Sequence, residues 1–78
     1  MNDTDVANLK EILDEILDLL NSTTPTAAKI RTLEEASRVA VLTTETATLH
    51  GNTSSSIAAT LADAVIRAAI NELRKGEP

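Results

Sequence analysis

The residues able to do chemistry are few. His50 is the one histidine, with Glu45 shortly before it and Ser54, Ser55 and Ser56 shortly after. Nucleophilic catalysis needs a hydroxyl or thiol within reach of a base, and that base oriented by a third group. The residue types are present, but their spacing matches no triad, nucleophile elbow, HExxH, Walker loop or GxGxxG pattern. His50 stands beside Gly51, where an imidazole bonds the last carbonyls of a helix and a protonated one suits its dipole. Two glycines in all exclude a glycine-rich phosphate cradle. No catalytic residue, no enzymatic activity and no cofactor are expected.

A second grouping suits anions. Thr53 and Ser54 open a helix, where unpaired N–H groups and hydroxyls point the same way. Arg31, Arg38 and Arg67 supply guanidinium forks that fit phosphate or carboxylate. These five residues form the candidate site for a small phosphorylated ligand such as a nucleotide, held at a subunit interface. Their ordinary roles are ion pairs at i,i+4: Arg31–Glu35, Glu34–Arg38, and Asp63–Arg67 on the exposed line of its helix. The last pair could also set register across a symmetric interface.

Glu11, Asp14, Glu15 and Asp18 read as a solvated helix face. A divalent-cation site would want inward carboxylates or histidine partners, so no metal is expected. Seven Lys and Arg against twelve Asp and Glu leave a net charge of −5, and there is no Phe, Tyr or Trp. That balance opposes phosphate backbones and anionic lipid, and nothing can stack on a base. No nucleic-acid or membrane partner is expected. No apolar run nears the roughly 20 residues of a membrane span. The start, MNDTDVANLK, has no signal-peptide core and cysteine is absent, which together suggest a cytoplasmic protein.

Three helices must position these residues. Apolar spacing predicts the first over about 4–20, capped by Asp3 or Thr4, with Val6, Leu9, Leu13, Ile16 and Leu20 along its seam. Ile12, Leu17 and Leu19 widen that seam into a full apolar face. Asn21–Thr24 breaks the pattern, and Thr24-Pro25 reads as N-cap and first residue of a second helix over about 25–50. Its seam runs Ile30, Leu33, Ser37, Ala40, Thr44 and Ala47. The β-branched run Val41–Thr48 invites a strand, but one strand would have nothing to pair with. Gly51 closes this helix, and Thr53–Ser56 offer caps for a third over about 55–74. Lys75–Pro78 is expected to fray.

The architecture expected for 1–78 is a single all-α domain, a three-helix antiparallel bundle with a long second helix. The short first connection makes its two helices antiparallel neighbours. The core should be Leu, Ile and Val of the first helix against Ala-rich faces of the other two. Ile57–Leu73 has only a thin polar stripe, at Thr60, Asp63, Arg67 and Asn71, and so needs cover on most sides. Val39, Leu42 and Leu49 also compete for burial. With no disulfide or metal to staple a small core, oligomerisation is the remaining device. A helical homo-oligomer is therefore expected, with Val39, Leu42, Leu49, Ala64 and Ala68 in its interface.

Pro25 after an amphipathic helix, then Leu33-Glu34-Glu35-Ala36 in a long second helix, resembles the helical phage sponge proteins that sequester cyclic-nucleotide immune signals. That resemblance implies ligand binding between subunits. The residues themselves point first to a non-enzymatic helical interaction protein: a small oligomeric assembly component, adaptor or inhibitor. The expected partners are itself and, beyond that, another protein.

Overall fold

The computed structural model describes residues 1–76. Three helices follow in order, α1 (Asp3–Asn21), α2 (Thr26–Leu49) and α3 (Thr53–Lys75). Among the described residues there is no strand. The body measures 43 × 20 × 15 Å. Ser54 at the start of α3 meets Asp5 at the start of α1, and Glu34 early in α2 meets Arg74 late in α3. The helices therefore run up, down, up. Of the end expected to fray, Lys75 is helical and Gly76 follows as the C-cap, while Glu77 and Pro78 lie outside the described residues.

The β-branched run is helical throughout, and three of its threonine hydroxyls bond locally. Thr43, Thr44 and Thr48 donate to the carbonyls of Val39, Ala40 and Thr44 at 2.8–3.0 Å. This back-bonding satisfies each hydroxyl without taking the backbone out of its ladder. Gly51 has φ 69°. Its N–H bonds Thr48 O at 3.1 Å and that of Asn52 bonds Ala47 O at 2.8 Å, so the last carbonyls of α2 are met by a Schellman turn. His50 Nδ1 donates to Thr46 O at 2.8 Å, the capping role its position suggested.

The N-termini differ from the sequence reading. Asn2, not Asp3 or Thr4, caps α1, with Oδ1 accepting from Asp5 N at 2.8 Å. Pro25 occupies the cap of α2 and Thr24 makes no capping bond; its N–H turns instead to Ser22 Oγ. Asn52 caps α3 through Ser55 N at 3.1 Å, which releases the serine hydroxyls for other work. The C-terminus of α1 carries no basic residue of its own. Lys29 reaches back from α2 to Leu20 O at 2.9 Å, placing a cation at the negative pole.

The core belongs mainly to α2 and α3. Leu33 is 1% exposed and Ile66 2%, and Ile30, Ala40, Ala69 and Ile70 pack with them. From α1 only Ile16 joins the buried cluster, with Ile12, Leu19 and Leu20 part-buried against it. This corrects the expectation that α1 would supply the large residues. It also corrects the neighbour relation: α1 lies mainly on α3 and barely meets α2. The reason is geometric, since the alanines of α3 offer low ground on which both other helices settle.

A polar clasp holds α1 to α3. Asp5 is 9% exposed and accepts Ser54 Oγ at 2.5 Å and Ser55 Oγ at 3.2 Å, while Asn2 N donates to Ser54 Oγ at 2.8 Å. Asp5→Ala should lower stability by about 1–2 kcal/mol, the cost of leaving two part-buried hydroxyls without their acceptor. Urea titration followed by circular dichroism measures this; a loss below about 0.5 kcal/mol would mean the clasp carries no weight.

Candidate functional site

Because α1 and α2 stand apart on either side of α3, a groove of about 1010 Å³ opens between them. Leu9, Ile12, Ile16 and Leu19 form one wall, and Ala36, Val39 and Ala40 the other. The floor is Ala58, Ala59, Ala62 and Ile66 of α3. From Asp5 to Leu19 the α1 wall is about 21 Å long at 1.5 Å per residue. The sequence places Leu9 and Ile16 on the seam of α1 and Ile12 and Leu19 on the apolar face that widens it, and does not reveal the groove. The available signal was the width of the α1 apolar face, broader than one neighbour can cover.

The rims are polar and unequal. Glu11 and Glu15 line the α1 side, with Asn8 between them and Asp5. Arg31, Thr32, Glu35 and Thr43 line the α2 side. Glu35 is bridged to Arg38 at 3.1 Å. This replaces the expected i,i+4 pairs within α2, because Glu34 is drawn across to Arg74 at 3.2 Å.

The polar stripe of α3 serves a different purpose from the one its spacing suggested. The Asp63–Arg67 bridge forms at 2.8 Å, but the Asp63 side chain is only 15% exposed against 65% for Arg67. Asp63 also accepts Ser37 Oγ at 2.5 Å. It is a tie between α2 and α3, where a carboxylate takes a hydroxyl and a guanidinium together.

The anion candidates do not assemble into one place. Arg31 sits on the groove rim. Arg38 and Arg67 share a shallow depression on the α2–α3 edge with Arg74, Glu34 and Glu45, and all three arginines are ion-paired. Thr53 is exposed and Ser54 is engaged by Asp5; Ser54 lies about 20 Å along α3 from Arg67.

The interface candidates divide likewise. Val39 lines the groove and is 55% exposed. Leu42, 56% exposed, lies round the helix on the α2–α3 edge, and Leu49 is 86% exposed at the end of α2. Ala64 and Ala68 are exposed on the outer side of α3. Helical spacing sets them beside Ile57, Leu61 and Val65, which are 38–46% exposed. Among the described residues no group of His, Cys, Asp or Glu could hold a metal ion, and no helix is long and apolar enough to cross a membrane. Comparison with known proteins finds no matching family model, no matching curated protein and no matching solved structure.

Proposed function

We propose that this chain is a non-enzymatic helical interaction protein, an adaptor or inhibitor that receives an amphipathic helix of another molecule. The observation that supports it is the open groove between α1 and α2, apolar on both walls and floored by alanines. Small floor residues admit bulky side chains from an incoming helix, and a helix seated there would complete a four-helix arrangement with α3 diagonal to it. The alanines are also the reporters. Methyl NMR during titration with a leucine-striped helical peptide should move Ala36, Ala40, Ala58 and Ala59. Shifts confined to the outer face of α3 would sink the reading.

Self-association belongs to a different surface. The exposed row of Ile57, Leu61 and Val65 with Ala64 and Ala68 supports a homo-oligomer built through the outer face of α3. Light scattering behind size-exclusion chromatography should give a mass above one chain, reduced to one chain by Ala64→Glu or Ala68→Glu. A native mass of one chain at micromolar concentration overturns this part alone.

A further inference from the structure

The groove is electrically lopsided. Its α1 rim presents Glu11 and Glu15, one helical turn apart and both exposed. Asp14 and Asp18 follow on the same helix, and Lys10 is its one basic residue. Among the described residues neither Glu11 nor Glu15 makes an ion pair. On the α2 rim the charge of Glu35 is already met by Arg38, and Arg31 adds a positive group. An incoming helix therefore meets a negative wall on one side and a neutral to positive wall on the other.

Resting on the groove reading above, we propose that the occupant is a helix from a different protein, about four turns long, with large apolar residues along one stripe and lysines or arginines on the edge facing α1. Length follows from the roughly 21 Å wall. Bulk follows from the depth of the floor, where the methyl groups of Ala58 and Ala59 are only 8–9% exposed, so that long apolar side chains are needed to reach them. The basic edge follows from Glu11 and Glu15, whose i,i+4 spacing matches cations one turn apart on the partner. A second copy of this chain fits less well, since it brings its own net charge of −5 to a rim that is already acidic.

Two labelled peptides test this. Both carry the same leucine stripe; one has lysines on its flanking edge, the other glutamates. Fluorescence anisotropy at low salt should show the lysine-edged peptide binding about tenfold tighter, the sum of two exposed pairs gained against two repulsions. That preference should shrink at high salt, and E11Q with E15Q should remove most of it while circular dichroism stays unchanged. Equal binding of both peptides overturns the basic edge and leaves the groove reading standing. Failure of both to bind overturns the two together. A homodimer that Val39→Glu dissociates overturns the foreign occupant, because the groove would then be filled by a second copy.

Discussion

Leu33→Ala should cost about 2–5 kcal/mol of folding stability. Leu33 is the largest fully buried side chain, 1% exposed. The cluster around it holds isoleucines and alanines, with Leu19, Leu20 and Leu73 at its margin, and the alanines have no side chain long enough to swing into a void. One mitigating feature sets the position within that range. Leu33 also borders the groove, so part of the space left behind opens to water and costs transfer energy without an enclosed cavity. A loss near 3 kcal/mol, in the lower half of the range, is therefore expected. For a chain of 78 residues, total stability on the order of 4–12 kcal/mol makes this a large fraction. Thermal melting read by circular dichroism should fall by about 12–24 °C, at roughly 4–8 °C per kcal/mol for a domain this size. Leu49→Ala is the control, since Leu49 is 86% exposed, and its effect should stay within about 0.5 kcal/mol. Equal effects at the two positions would contradict the packing described.

Val39→Glu should abolish binding of a helix in the groove while leaving the fold intact. Val39 is more than half exposed and makes the α2 wall near mid-groove. Stability should change by less than about 0.5 kcal/mol, because no buried contact is lost. Binding suffers twice: burial of the half of Val39 still exposed, worth about 1–1.5 kcal/mol, is lost, and a carboxylate must be desolvated if the helix still docks. Affinity for a leucine-striped peptide should drop at least about a hundredfold. Leu42→Glu discriminates, being equally exposed but on the α2–α3 edge, and should leave peptide affinity within about threefold of the native value. Parity between the two variants would place the binding surface elsewhere.

Much of this fold is legible in the sequence because helical spacing carries it directly. Of the seam Ile30, Leu33, Ser37, Ala40, Thr44 and Ala47, the four apolar positions are buried while Ser37 and Thr44 are half-buried, and the His50-Gly51 stop is built as those residues dictate. What spacing could not supply was relations between helices. Asp63 looks like part of a solvent stripe until Ser37 is known to face it. Asp5 looks like a dipole partner until Ser54 and Ser55 arrive from the start of α3, 49 and 50 residues on. Serine-rich segments mislead in the same way: Asn52 caps α3, so its serines bond elsewhere. The groove was illegible for a related reason. The periodicity of α1 announces a broad apolar face but not which neighbour leaves part of it uncovered.

The shallow packing of α1 bears on how long such a chain survives in a cell. A ligand present at a hundred times its dissociation constant adds about 2.7 kcal/mol to the folded state. That is comparable with the contribution of Leu33 itself. Proteases that cleave open forms sample the population such a margin leaves exposed. An occupied groove would therefore be cleaved more slowly than an empty one, and the copy number of this chain would follow that of whatever fills it.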